Sequence, residues 1–230
     1  MRRAALFLAA FALAIPAGAA PVHRAPPAPA ARDWSRTVVA TPEGGFRMGN
    51  PAAPVKLVEY GSLTCPHCAA FAREGTPPLV AKYVRTGKVS YEFRNYILNS
   101  IDVSASLVAR CAGPVGFFRI AETLYATQKQ WVDRILAERD RLNALPEPQR
   151  LPRVVEIGGF YQVAARYGLT AARARQCLAD PRGLERLGQM YQAAQALGVT
   201  GTPTFFLNGN MLDVNEWPSV EPLIRQATGG

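Results

Sequence analysis

Val55-Lys56-Leu57-Val58-Glu59-Tyr60-Gly61-Ser62-Leu63-Thr64-Cys65-Pro66-His67-Cys68-Ala69-Ala70-Phe71 is the stretch on which the fold of this chain turns. Val55 to Tyr60 has the apolar, β-branched content of a strand. A short polar turn follows. From Pro66 the pattern becomes helical: Ala69, Ala70 and Phe71, then Leu79, Val80, Tyr83 and Val84. Two cysteines therefore bracket the first turn of a helix that follows a strand. Thr76-Pro77-Pro78 must interrupt or kink that helix, because proline lacks the N–H and clashes with the preceding turn. Gly87 is a helix stop. Val89, Tyr91 and Phe93 alternate with Ser90, Glu92 and Arg94, which predicts a half-buried strand.

Upstream, Thr37 to Ala40 is a short strand. Downstream, from about Ile101 to Leu197, the period is helical: Leu107, Val108 and Cys111, then Phe117, Ile120 and Leu124, later Val163, Tyr167, Leu184 and Leu187. Gly113-Pro114, Pro146 to Pro152 and Asp180-Pro181 punctuate this block into four or five helices. Thr204 to Leu207 is a strand, Asn208-Gly209 a hairpin signal, and Val214 to Ala227 a closing helix. There is no internal repeat. A strand–helix–strand unit, then a hairpin and a helix, fits an α/β, thioredoxin-like fold with an inserted helical domain. The expected division is 37–100 for the first part of that fold, 101–197 for the helical insertion and 198–230 for the second part.

Residues 1–20 read as a cleavable signal peptide. Arg2 and Arg3 form the basic start, Ala4 to Ile15 the apolar run, and Ala17-Gly18-Ala19-Ala20 the small-residue cleavage site. The apolar run falls short of the about 20 residues of a membrane span, although an uncleaved anchor is the alternative. Residues 21–36 form a Pro/Ala-rich linker that begins at Pro21. Export places the protein in the periplasm. The net charge is +9, and loss of Arg2 and Arg3 leaves +7. The arginines are scattered, with no dense basic block interleaved with aromatics, so no nucleic-acid partner is expected. Acidic partners and anionic membrane surfaces stay open.

Of four cysteines, two form the C-x-x-C and two, Cys111 and Cys177, stand alone. A zinc ribbon needs a second pair or ligating histidines, and here His23 lies in the linker. Haem attachment needs a histidine after the second cysteine, where Ala69 stands. No metal and no cofactor are therefore expected. A structural bridge is the plain alternative, and the helix-start setting favours redox chemistry. Pro66 suits the first helical position. The free N–H groups and positive dipole end stabilise a thiolate on Cys65, and His67 adds to this if it is protonated or hydrogen-bonded. A stabilised thiolate favours the reduced pair, which makes the disulfide oxidising.

Cys65-Pro66-His67-Cys68 together with Gly201-Thr202-Pro203-Thr204-Phe205-Phe206-Leu207-Asn208-Gly209 resembles the DsbA-like thiol–disulfide oxidoreductases, as does the helical insertion between the two halves. The resemblance covers roughly residues 49–230. It implies an oxidase that passes its Cys65–Cys68 disulfide to cysteine-containing exported proteins and is regenerated by a quinone-linked membrane reoxidase. It implies a cis Thr202–Pro203 bond beside the disulfide, with the Thr202 backbone pairing with an extended substrate segment; a trans-proline opening a strand is the alternative. It also implies that Glu59, six residues before Cys65, is buried near Cys68 and relays its proton; a solvated strand residue is the alternative. Cys111 and Cys177 are either two buried free thiols or, as export favours, a second disulfide. Such a bridge closes a loop of about 67 residues, worth up to about 4 kcal/mol by chain entropy; some members of the family carry one, while the best-known lack it. A monomer is expected. An isomerase or reductase of the same fold is the nearest rival, but 21–36 is too short for the dimerisation domain isomerases usually add. A non-catalytic chaperone-like module is the other rival, and intact cysteines argue against it.

Overall fold

The computed structural model describes residues 32–230. The expected leader and most of the expected linker lie outside the described residues. The last linker positions do not behave as linker: Asp33 caps a 3-10 turn over Trp34–Arg36, and the Trp34 N–H donates to the Arg85 carbonyl. Gly87, at φ +80°, packs against the Trp34 ring, where any side chain would collide.

Six strands form one mixed sheet in the order β1-β2-β4-β3-β5-β6. They are β1 Val38–Ala40, β2 Phe46–Gly49, β3 Val55–Gly61, β4 Val89–Asn95, β5 Thr204–Leu207 and β6 Asn210–Met211. β3 is central, parallel to β4 and antiparallel to β5, so Glu59 sits between Phe93 and Phe205. The Asn208-Gly209 turn links β5 to β6, with both residues at positive φ as such a turn requires.

β4 departs from its sequence pattern. Its polar residues Ser90 and Glu92 are buried, so the strand is covered on both faces and not half-buried. Helical segments over Val80–Val84 and Pro181–Ala196 pack against it. Glu92 tolerates burial because the Thr41 hydroxyl and the Arg94 guanidinium both donate to its Oε1, each at 2.7 Å.

The helix after the cysteines, α1, spans Pro66–Glu74, with Cys65 as its extended N-cap residue and Pro66 at the first turn. It ends at Gly75, ahead of the prolines. A short α2 over Thr76–Leu79 and a π-turn over Val80–Val84 continue the path with the expected break. Phe71 packs on Phe205 with ring centroids 4.5 Å apart and meets Trp217 edge-on, which pins α1 to the sheet. A buried side chain of this size contributes about 2 kcal/mol.

Between β4 and β5 lie eight helices, not four or five: α3 Ser100–Cys111, α4 Gly113–Ala126, α5 Gln128–Ala137, α6 Arg139–Ala144, α7 Glu147–Gly158, α8 Phe160–Ala165, α9 Ala171–Ala179 and α10 Pro181–Ala196. The breaks at Thr127 and Glu138 involve neither glycine nor proline, so no punctuation marks them in the sequence. Phe117, Ile120, Leu124 and Leu187 are buried as their spacing predicts, whereas Leu184 is exposed. The sulfurs of Cys111 and Cys177 are bonded, joining the end of α3 to α9. The last helix, α11, begins at Trp217 instead of Val214, with Pro218 in its first turn. The whole is the expected α/β fold with helices inserted between its halves.

Candidate active site

Everything at the site is arranged around the exit from β3. Ser62, Leu63 and Thr64 lead into Cys65, and the helix begins. Pro66 and His67 are exposed, while Cys65 is 4% and Cys68 0% exposed. The two thiols are not bonded to each other.

Burial alone would raise both thiols. Cys65 is instead held down to about 5, well below the usual thiol range. The largest cause is a hydrogen bond from the Cys68 thiol. The nearby Thr202 side chain adds to it, as do the backbone N–H groups of Cys68 and His67. The contribution of His67 thus comes from its main chain. Cys68 goes the other way: burial, then the adjoining Cys65 and the negative charges of Glu59 and Cys65, push it well above the usual range. One thiol is poised to ionise and the other to keep its proton, which is the asymmetry thiol–disulfide exchange needs.

The loop carrying Thr202 and Pro203 lies against Cys65. The Thr202–Pro203 peptide is cis, and the Cys65 thiol donates to the Thr202 carbonyl at 3.2 Å. Pro203 itself is buried. These two residues, far away in the chain, thus meet the cysteines where β5 begins.

Glu59 is 2% exposed in the middle of the sheet. Burial pushes its carboxyl up to about 8; a hydrogen bond from Tyr91 opposes this, and the charge of Cys65 adds to it. Tyr91 Oη donates to Glu59 Oε2 at 2.5 Å. Both residues line a cavity of about 380 Å³ walled by Phe93, Phe117, Phe118 and Ala121, with Arg85 and Glu122 also on its lining. A carboxyl of this kind stays mostly protonated at neutral pH and can exchange a proton there.

Several site residues carry no sequence signal. Tyr91 reads only as a strand residue. Asp102, Tyr125 and Gln128, from three different helices, reach the loop before Cys65. Among the described residues, no group of three or more His, Cys, Asp or Glu side chains is placed to hold a metal. Cys111 and Cys177 lie in the helical block, half-buried, as a bridge separate from this site.

Comparison with known proteins converges on the same class. The family model described as thioredoxin matches residues 41–225. A relative in Rickettsia bellii, provisionally named a protein-disulfide oxidoreductase, is 32% identical over 168 residues, which is 73% of this chain and 58% of that protein. This chain therefore spans little more than half the length of that relative. Among solved structures, the protein-disulfide isomerase of Novosphingobium aromaticivorans superposes with a TM-score of 0.74 at 29% identity, covering 81% of this chain and 98% of that one. The alpha-DsbA1 of Wolbachia pipientis superposes with a TM-score of 0.67 at 23% identity, covering 83% and 94%. The chain belongs to the thioredoxin family, with the fold of its DsbA-like members.

Proposed function

We propose that this protein is a periplasmic thiol–disulfide oxidase that introduces disulfides into exported proteins. The observation that carries this reading is the split between the two thiols, Cys65 held down to about 5 and Cys68 pushed up. In the oxidised protein, a substrate thiolate attacks Cys65 Sγ and the Cys65–Cys68 bond breaks. The electron pair leaves on Cys68, which takes a proton from the Glu59 carboxyl. A second substrate thiolate then attacks the substrate sulfur of the mixed disulfide. Cys65 departs as a thiolate, a good leaving group because its pKa is low. The substrate has lost two electrons and two protons. The protein holds the electrons as the Cys65 thiolate and the Cys68 thiol, and Glu59 regains its proton from solvent.

Thr202 and Pro203 border Cys65 and are the substrate-docking edge in this reading, with the Thr202 main chain available to an extended segment. A quinone-linked membrane reoxidase restores the disulfide, by the family resemblance. The protein acts as a monomer, and the Cys111–Cys177 bridge braces the helical block. The test is stoichiometric oxidation of a reduced two-cysteine peptide by the oxidised protein, absent in Cys65→Ser. A protein that transfers no disulfide under these conditions is not an oxidase.

The likeness to the Novosphingobium protein-disulfide isomerase favours a second reading, isomerase activity. Reactivation of a scrambled disulfide protein by the reduced form, faster than by an equal concentration of glutathione, would favour it over oxidation.

A further inference from the structure

The loop Ser62 to Cys65 belongs to neither a strand nor a helix, yet it is nearly all buried. Buried main-chain groups need partners. Here the partners are side chains of the inserted helices. The Leu63 N–H donates to Asp102 Oδ1 at 3.0 Å, and Tyr125 Oη donates to the Ser62 carbonyl at 3.1 Å. Gln128 does more. Its Nε2 donates to the Leu63 carbonyl and to the Cys65 carbonyl, both at 2.9 Å. A primary amide has two N–H donors, so one side chain spans both carbonyls.

The Cys65 carbonyl is also the acceptor of the first helical hydrogen bond, from the Ala69 N–H at 3.1 Å. Gln128 thus grips the residue from which α1 starts. Cys65 has extended geometry there, with φ −79° and ψ 123°. From there the backbone N–H groups of His67 and Cys68, at the start of the helix, help to hold its thiol down. Gln128 is itself 8% exposed, at the first position of α5, whose Trp131 and Ile135 are buried in the core. Its amide is neutral and reaches main-chain oxygens, not the sulfur.

We propose that Gln128 is a positioning residue for Cys65, holding the Leu63 and Cys65 carbonyls so that Sγ lies over the start of α1 and beside Cys68. The inserted helices then determine where the reactive thiol sits, with Asp102 and Tyr125 fixing the same loop upstream. This rests on the reading of Cys65 as the low-pKa thiol that is attacked and then leaves, and deepens it.

The test compares Gln128→Met, which keeps the length and loses both donors, with Gln128→Glu, which keeps the shape and faces two carbonyls with acceptors. Ile135→Ala on the same helix supplies a matched loss of packing. The readout is the pH midpoint of Cys65 alkylation in the reduced, full chain, alongside the melting temperature. Either Gln128 variant should raise the midpoint by about one unit, a tenfold smaller thiolate fraction at low pH. Ile135→Ala should melt lower and keep the parental midpoint. A parental midpoint in a folded Gln128 variant overturns the proposal, since Gln128 would then be packing alone. An ordinary thiol midpoint in the parental protein overturns the reading of Cys65, and the proposal with it.

Discussion

Replacing Glu59 by glutamine should stabilise the protein, and by an amount that grows with pH. The carboxyl is buried in the sheet and lifted from 4.5 to about 8. A carboxyl with a raised folded pKa keeps its proton where the unfolded chain has already ionised. Below about pH 4.5 both states are protonated, and Glu59 adds no pH-linked cost. From there to about pH 8 stability falls as pH rises, and above pH 8 the full cost stands. At about 1.4 kcal/mol per unit, the shift corresponds to roughly 5 kcal/mol. Glutamine keeps the shape and an oxygen to accept from Tyr91 Oη, and it carries no charge. Urea unfolding of the oxidised protein across this range, with Cys65 and Cys68 bonded, isolates the effect from thiol titration. Desolvation, the largest cause, persists in that form. The variant should match the parent near pH 4.5 and exceed it by about 2–5 kcal/mol at pH 8.5. Disulfide exchange should slow as well, because the proton that Cys68 takes has lost its donor. A difference independent of pH, or a variant less stable at pH 8.5, would refute the reasoning.

Other outcomes follow from the same geometry. The reduced protein should gain stability over the oxidised form as pH rises from about 5 towards 9, and lose that advantage as pH falls through 5, because the depressed Cys65 pKa favours the folded thiolate; melting temperatures of the two forms across this range check the sign. Cys68→Ala should raise the Cys65 alkylation midpoint by about 1–2 units, the worth of a hydrogen bond to a charged group. His67→Ala should move it less, since the backbone N–H remains; equal shifts in the two variants would contradict this. Replacing Cys111 and Cys177 together by alanine should cost up to about 4 kcal/mol in denaturant unfolding and leave peptide oxidation unchanged, as the bridge lies apart from the site.

The central strand and the C-x-x-C helix are legible because their periodicity and their turn chemistry agree. Val55, Leu57, Glu59 and Tyr60 are buried, while Lys56 is exposed and Val58 half-buried, so the apolar content of this stretch marks a strand set into the core. β4 misleads because Ser90 and Glu92 imitate an exposed face; Glu92 is satisfied by partners from distant residues that no local pattern announces. β2 is short and half polar, with only Phe46 and Met48 as apolar residues beside Arg47 and Gly49, and so carries no strand signal. Helix breaks at Thr127 and Glu138 lack glycine and proline and so leave no mark. At the site, Cys65, Cys68, Thr202 and Pro203 stand in recognisable motifs. Tyr91, Asp102, Tyr125 and Gln128 do not, because what they do depends on which main-chain atom or carboxyl the fold brings within reach. A single tyrosine or glutamine in a helix or strand looks the same whether it faces solvent or holds a buried carbonyl.

The redox equilibrium of the Cys65–Cys68 pair against glutathione decides whether this protein is an oxidase. Lowering of Cys65 from 9.0 to about 5, at about 30 mV per pKa unit for a two-electron couple, makes the pair roughly 120 mV more oxidising than one with an ordinary thiol. Glutathione should reduce the pair readily, at a potential far above the about −270 mV of thioredoxin. A potential at or below that value would contradict it.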